Sequence, residues 1–453
     1  MMLSLEEIAA LTGGLLHGDD APISAVSTDT RSMTAGSLFV ALRGPSFDGH
    51  EFLRRAASLG AAGALVARSQ PLALPQVEVD DPLAALQTLA AAWRLRNPMP
   101  VVAVTGSNGK TTVRQMLAGI LAVDGPVLAT RGNRNNHIGV PLTLLEMGAE
   151  HEAAIIEMGA SGPREIALLA RLARPDVAVV TNAADAHLAG FGNREGVARA
   201  KGELFADLAA DGTAIINADD DFAPLWGELA GDRRRLYFGL GEKAEVTARA
   251  LEQQAGRTRF TLVAPPGEVA VELALPGRHN VANALAAAAA AVALDVPLAA
   301  IAAALAAVSP VAGRLQARPA AGGATLLDDS YNANPASLAA GIAVLCDQPG
   351  RHWLVLGDMA ELGADAVARH AAVGEAAREA GVERLFACGD LAAAAAGSFG
   401  PGGEAYLELD SLIGDLRAQL QAGVTVLVKG SRTAGMERVV TAIEDRGEAI
   451  GPC

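Results

Sequence analysis

Thr105-Gly106-Ser107-Asn108-Gly109-Lys110-Thr111-Thr112 constrains this chain more than any other stretch. It follows the apolar run Val101-Val102-Ala103-Val104, which reads as a buried strand, and precedes Val113 to Leu121, which reads as a helix. A glycine-rich turn between strand and helix aims several backbone N–H groups at one point, and the helix N-terminus adds the positive end of its dipole. Lys110 can neutralise phosphate oxygens and the Thr111 hydroxyl suits Mg²⁺. The loop is a compact G-x-x-G-K-T; the longer common pattern wants glycine at position 104, where this chain has Val104.

Lysine usage sharpens the reading. Of 36 Lys plus Arg, only Lys110, Lys201, Lys243 and Lys429 are lysine. Wherever a generic positive charge serves, the chain uses Arg, which is permanently charged and planar, whereas Lys is compact and can lose its proton. A coding bias accounts for the excess of Arg but not for which lysines remain. Three of them fall in stretches that look chemical on other grounds; Lys243 reads as a surface residue.

The net charge of −15 argues against nucleic acid or an anionic membrane as partner, so an anionic ligand must be held by local dipoles, metal ions and single cations. Cys346, Cys388 and Cys453 show no C-x-x-C spacing, which implies a reduced compartment and no zinc site. Met1 to Gly14 carries Glu6 and Glu7 and lacks a basic, apolar leader, and Ala282 to Leu294 is too short to span a bilayer. A cytoplasmic protein without stable membrane insertion is expected.

Strand and helix signals divide the chain into three. Residues 1–97 mix short strands (37–42, 63–67) with helices (52–60, 83–95), and Asn97-Pro98-Met99-Pro100 marks a boundary. Residues 98–312 open with the glycine-rich loop and continue with strands at 153–158, 177–181 and 213–217, each followed by a helical stretch. That alternation predicts a doubly wound parallel sheet. A β-rich extension follows at 236–275, then alanine-rich helices within 282–307. Residues 313–453 form a second α/β unit, with strands at 325–328, 353–356, 384–387 and 424–428. Its first strand lacks a G-x-G-x-x-G, so nicotinamide binding has little support.

Polar clusters sit where such sheets place their ligands, at strand C-termini. Glu157 ends the strand 153–156 and can hold Mg²⁺ directly or through water. His187 follows the next strand, either as a metal ligand or as a hydrogen-bonded structural residue. Ala200-Lys201-Gly202-Glu203 reads as the start of a helix; a free ammonium beside Mg²⁺ would be repelled, but a Lys201 amine that has taken up CO₂ becomes a carbamate, and Arg cannot do this. Asn280 and Asn283 are spaced i, i+3 and share a helix face that could read a base, or Asn280 is simply a cap. Asp328-Asp329-Ser330-Tyr331-Asn332-Ala333-Asn334-Pro335 and Lys429-Gly430-Ser431 end strands of the third segment.

The order of these stretches resembles the Mur ligase family of ATP-dependent amide-bond-forming enzymes. The match runs from about residue 24 to about 440 through Thr105–Thr112, Asn135-Asn136-His137-Ile138-Gly139-Val140-Pro141, Glu157-Met158-Gly159, Asn182–Leu188, Ala200–Glu203, His279–Asn283, Gly313-Arg314, Asp328–Pro335 and Lys429–Ser431. Asn332-Ala333-Asn334-Pro335 and Leu356-Gly357-Asp358-Met359-Ala360-Glu361-Leu362-Gly363 look like the member that joins D-alanyl-D-alanine to UDP-N-acetylmuramoyl-tripeptide.

The resemblance implies three domains: a small mixed α/β UDP-sugar domain, a central P-loop-type ATP-binding domain, and a C-terminal Rossmann-like domain that takes the dipeptide and closes over ATP. It implies two Mg²⁺ ions, one on Thr111 and Glu157, the other on Glu157, His187 and carbamylated Lys201. Lys110, Glu157, His187 and Lys201 would be catalytic. Gly106 to Thr112, with Asn283, Arg314 and Asp329, would grip ATP. Ser27, Thr30, Arg31, Asp48 and His50 would meet the uridine nucleotide, and Asn332, Asn334 and Lys429 the dipeptide. A monomer is expected. The rivals are a sister ligase that adds a diamino acid to the UDP-dipeptide and, in another class, a P-loop kinase or NTPase.

Overall fold

The computed structural model describes residues 3–185, 187–254 and 256–445; Cys453 lies outside them. Strand Val101–Thr105 is central to a six-stranded, wholly parallel sheet. In spatial order that sheet runs Val127–Ala129, Ala153–Glu157, Val101–Thr105, Val177–Val180, Thr213–Asn217, Arg234–Phe238. Its inner strands are apolar and buried throughout, as strands covered by helices on both faces must be. Neighbours change from Ala153–Glu157 on one side to Val177–Val180 on the other, so the loop after Val101–Thr105 sits where an open α/β sheet forms its ligand crevice.

The alanine-rich stretch forms two helices, Arg278–Ala293 and Leu298–Ala306, parted before Pro297. The first is buried on nearly all sides, against the glycine-loop helix Lys110–Leu121, the central sheet and the antiparallel three-stranded extension 247–273. Small side chains let these layers approach closely, which accounts for the alanine. The sequence missed the extension's first strand, Thr247–Gln254, whose residues alternate without an apolar run.

An N-terminal sheet has the order 15–17, 76–78, 63–66, 37–40, 25–27. It is tied to the central unit by helix Pro82–Arg96: buried Arg94 donates from Nε to the Ala173 carbonyl (2.9 Å) and from Nη1 to Asn97 (2.8 Å), and Trp93 donates to Met147 (2.9 Å). The C-terminal sheet has the order 316–320, 324–329, 424–429, 351–357, 384–388, 403–406. Only its edge strand Gln316–Ala320 is antiparallel, and Val424–Lys429, the last of the described strands, is inserted beside the second, an order unlike the 3-2-1-4-5-6 of dinucleotide-binding sheets.

Candidate functional site

Gly106 and Gly109 have φ of +146° and +84°. A Cβ at Gly106 would lie 1.9 Å from Thr181 Oγ1, and one at Gly109 2.2 Å from Asn283 Oδ1, so only glycine fits this tightly walled loop. Asn182 holds the turn from below. Its Oδ1 accepts the Asn108 N–H (3.0 Å), while its Nδ2 and Thr181 Oγ1 donate to the Asn108 carbonyl (3.1 and 2.6 Å). Helix Lys110–Leu121 starts without a side-chain cap, leaving its first N–H groups for an anion. Lys110 Nζ donates to the carbonyls of Gly106 (2.6 Å) and Ser107 (3.2 Å), and burial lowers its pKa from the ordinary 10.5.

Glu157, 3% exposed at its strand end, collects three donors: Thr111 Oγ1 (3.1 Å) and Arg114 Nη1 (3.0 Å) at Oε2, and Asn135 Nδ2 (2.9 Å) at Oε1. Thr111 and Glu157 thus converge as the sequence predicts. A carboxylate and a hydroxyl in contact are hard oxygen donors suited to Mg²⁺. Arg114 was missed, and Asn135 was quoted only within a matching stretch, without a role; Arg114 lies one helical turn beyond Lys110, the only signal it offered.

Lys201 lies in the interior of helix Arg194–Ala206, not at its start, because Asn193 caps that helix seven residues earlier than the sequence suggested. It is 2% exposed. Burial, then the charge of Lys110, brings its pKa down to about 7, and its Nζ sits 5.7 Å from the Phe191 ring centroid. His187 has a left-handed backbone (φ +54°) and turns Nδ1 to Glu361 of the C-terminal domain; burial lowers its pKa. Glu157, His187 and Lys201 line one cavity of about 390 Å³. Among the described residues no group of three His, Cys, Asp or Glu could hold a metal, so the two expected ligand sets depend on the threonine and on a modified lysine.

A second cavity, about 340 Å³, adjoins the first through Asn108, Gly109, Thr112 and Arg314. Asn283, Asp329 and Arg314, which the resemblance assigns to ATP, all line it. Asn280 is not the helix cap: Gly277 holds that position, while Asn280 donates to the Pro276 carbonyl (2.7 Å) and accepts from Asn283 Nδ2 (3.3 Å). Asn217, Asp220 and Phe238 also line this cavity and were given no role in the sequence, and His279, quoted there only as part of a matching stretch, joins them. Burial drops His279 to about 4, a neutral imidazole.

Lys429, expected at the dipeptide end, lines the cavity of about 340 Å³ instead of the one that holds Asn332 and Asn334. Its ammonium pairs with Asp329 and donates to the Asn332 carbonyl (3.0 Å). Burial lowers the lysine's pKa and raises the aspartate's. Asn334 caps helix Pro335–Cys346 through its side-chain oxygen and spends its Nδ2 on Asn108 Oδ1 of the glycine-rich loop (2.8 Å). With the Asp185–Arg369 pair, this contact joins the central and C-terminal domains across the cleft.

In the N-terminal domain, Asp48 and His50 line a cavity of about 400 Å³ together with Arg43, Arg54 and Arg68, which the sequence did not flag. His50 Nε2 accepts the Ala67 N–H (2.9 Å), so its proton is on Nδ1, facing Asp48 (2.6 Å). Those bonds, with the His50 backbone N–H foremost, hold Asp48 at about 2. Ser27, Thr30 and Arg31 do not reach that wall: Ser27 Oγ donates to the Asp29 carbonyl (3.0 Å), Thr30 is buried, and the exposed Arg31 pairs with Asp29.

Three family descriptions match in succession: "Mur ligase family, catalytic domain" at residues 22–94, "Mur ligase middle domain" at 104–291 and "Mur ligase, glutamate ligase domain" at 313–432. The chain belongs to the Mur ligase family. A relative from Escherichia coli, a UDP-N-acetylmuramoyl-tripeptide–D-alanyl-D-alanine ligase, is 45% identical over 98% of this chain and 99% of its own length. The structure of MurF from Acinetobacter baumannii superposes with a TM-score of 0.92 at 34% identity, covering 97% of this chain and 98% of that one. MurF from Thermotoga maritima in complex with ADP gives 0.81 at 27% identity, covering 92% and 96%. The fold is therefore the three-domain Mur ligase fold. Among the described residues no helix is long and apolar enough to cross a membrane.

Proposed function

We propose that this Mur ligase joins D-alanyl-D-alanine to UDP-N-acetylmuramoyl-tripeptide with consumption of ATP, yielding ADP, phosphate and the UDP-pentapeptide used in peptidoglycan synthesis. The observation that carries the reading is a series of adjoining cavities along one cleft. The nucleotide cavity abuts the glycine-rich loop, the loop borders the Glu157 cavity, and that cavity continues toward Asn332 and Asn334 of the C-terminal domain. This is the order in which an acyl phosphate must be made and then used. Near-full-length similarity to ligases of this name supports it.

The tripeptide carboxylate attacks the γ-phosphorus and ADP leaves; the dipeptide amine then attacks the acyl carbon and phosphate departs. Both steps bring anions together, so catalysis is positioning and charge neutralisation. Lys110 and the helix N-terminus bind the transferring phosphoryl group. Asn283, Arg314 and Asp329 orient the nucleotide. Thr111 and Glu157 would hold one Mg²⁺, and Glu157, His187 and carbamylated Lys201 a second. Bound there, Mg²⁺ supplies charge neutralisation between carboxylate and phosphate. Asp48 and the arginines 43, 54 and 68 meet the UDP end. The reading includes a cytoplasmic monomer.

The test is phosphate release with Mg²⁺-ATP and UDP-N-acetylmuramoyl-tripeptide, with and without D-alanyl-D-alanine. Release needs both, and the UDP-peptide gains the mass of the dipeptide less water. Release that ignores the dipeptide but needs a diamino acid with UDP-dipeptide would assign the sister activity instead. Independence from any UDP-peptide would refute the ligase reading.

A further inference from the structure

Tyr331 stands two residues past strand Ala324–Asp329 and lines the Glu157 cavity, and no step of the reaction above uses it. Its ring underlies Arg314, whose guanidinium carbon lies over it at 4.3 Å from the centroid. Among the described residues Arg314 pairs with no carboxylate and its guanidinium donates no hydrogen bond, so the ring is its one directional contact there. The Tyr331 hydroxyl likewise makes no hydrogen bond among the described residues.

The backbone brings the pair together. Edge strand Gln316–Ala320 pairs with Ala324–Asp329 in the register Gln316 to Asp328, and beyond that ladder the Tyr331 N–H donates to the Gly313 carbonyl (3.2 Å). Gly313 and Leu315, on either side of Arg314, both have a left-handed backbone, with φ of +72° and +52°. For leucine that conformation is uncommon, and strain of this kind is retained where a cleft needs the side chain it aims. Here it presents Arg314 to the space shared by the nucleotide and Glu157 cavities. A like charge waits there: burial chiefly, and then the charge of Arg314, lower the pKa of Lys110. Like charges repel, so a freely rotating arginine would turn away from Lys110 unless something held it.

A carboxylate could hold Arg314 as firmly, but it would neutralise the charge and occupy the N–H fork that suits phosphate. An aromatic face does neither, because attraction to the ring quadrupole leaves the cation charged and its in-plane donors free for oxygen acceptors. We propose that Tyr331 is a positioning residue that acts through Arg314: its ring, not its hydroxyl, holds the guanidinium where its donors meet the nucleotide phosphates beside Lys110. The inference rests on the reading above that Arg314 orients the nucleotide, and adds a residue that reading leaves unused. Arg432 lies farther from the same centroid, at 5.7 Å, with its side chain 66% exposed, and so contributes less to the stack.

The experiment is calorimetric binding of the β,γ-imido analogue of ATP, with Mg²⁺, to the full chain and to Tyr331→Phe, Tyr331→Leu, Arg314→Met and the double variant Tyr331→Leu/Arg314→Met. Loss of a cation–π contact corresponds to about two- to thirtyfold. Tyr331→Phe binds as the wild type does. Tyr331→Leu binds more weakly by that factor and raises the KM for ATP to match, with the KM for UDP-tripeptide unchanged. Arg314→Met loses about ten- to a hundredfold, and adding Tyr331→Leu to it weakens binding no further, because the ring then has no cation to hold. The inference is wrong if Tyr331→Leu keeps wild-type affinity, if Tyr331→Phe loses as much as Tyr331→Leu, or if the double variant loses the product of the two single factors. If Arg314→Met binds like the wild type, the nucleotide role of Arg314 fails and takes this inference with it, while dipeptide-dependent phosphate release still decides the ligase activity. Should Tyr331→Leu fail to fold, phenylalanines carrying one, two and three fluorines at position 331 keep the shape and deplete the negative ring face. Affinity then falls with each fluorine, and an affinity indifferent to fluorine overturns the assignment.

Discussion

Replacing Lys201 with methionine should stabilise the protein in a pH-dependent way while abolishing turnover. The Lys201 side chain is buried in helix Arg194–Ala206, and burial, followed by the charge of Lys110, brings its pKa from 10.5 to about 7. At about 1.4 kcal/mol per pH unit, holding the ammonium in the folded state costs about 5 kcal/mol. The sign follows from proton counting. Between about pH 7 and 10.5 the unfolded chain binds a proton here that the folded chain does not, so native stability rises with pH in that window. The penalty is complete below about pH 7 and gone above 10.5. Methionine is of similar length, apolar and conformationally adaptable. Lys201→Met should therefore exceed the wild type by up to about 5 kcal/mol at pH 6, the gap closing by about 1.4 kcal/mol per unit above pH 7. Urea unfolding at pH 6, 8 and 10 measures it, in CO₂-free buffers so that the amine stays unmodified. A gap that does not change with pH, or a variant less stable at pH 6, would refute the reasoning. The same depression leaves about three-quarters of the amine neutral at pH 7.5, against about one part in a thousand at an ordinary lysine, which is what reaction with CO₂ requires.

Gly109→Ala should lower ADP affinity at least about tenfold by calorimetry, because its Cβ would meet Asn283 at 2.2 Å and φ is +84°. Gly119→Ala is the control: it lies in the same helix with nothing within 4 Å, so it should bind ADP normally and gain about 0.5–1 kcal/mol of stability. Equal ADP binding by the two would sink the argument for the loop. Glu157→Gln should cut kcat about 10²- to 10³-fold and raise the Mg²⁺ needed for half-maximal rate; a loss under tenfold at saturating Mg²⁺ would remove Glu157 from the machinery. Arg369→Ala breaks the pair with Asp185 that spans the cleft. That pair is partly exposed and worth at most about 1 kcal/mol, so the ratio of closed to open molecules should fall by up to about fivefold, seen as a larger radius of gyration in small-angle scattering. An unchanged radius would show that the pair does not hold the domains together.

What was legible followed from local chemistry. The strand–loop–helix at residues 101–121 declares itself because apolar run, glycines and helix are contiguous, and the strand at 213–217 was placed to the residue for the same reason. The edge strands Thr247–Gln254 and Gln316–Ala320 were not, since pairing with a neighbour, rather than their own composition, makes them strands. The motif Leu356–Gly363 was noticed but its chemistry was not, because Glu361 gains meaning only from His187, which is remote in sequence.

The sequence by itself determined the phosphate loop, its lysine, the carboxylate at the neighbouring strand end and the three α/β units, all of which depend on hydrophobic period and residues near one another in the chain. Only the tertiary structure decided which cavity each polar residue enters. Insertion of strand Val424–Lys429 beside Ala324–Asp329 puts Lys429 against Asp329, and docking of the C-terminal domain brings Asn334 to Asn108 and Glu361 to His187. Such contacts join residues a hundred or more positions apart, where no local periodicity constrains the pairing and only the packing of whole sheets and domains selects it.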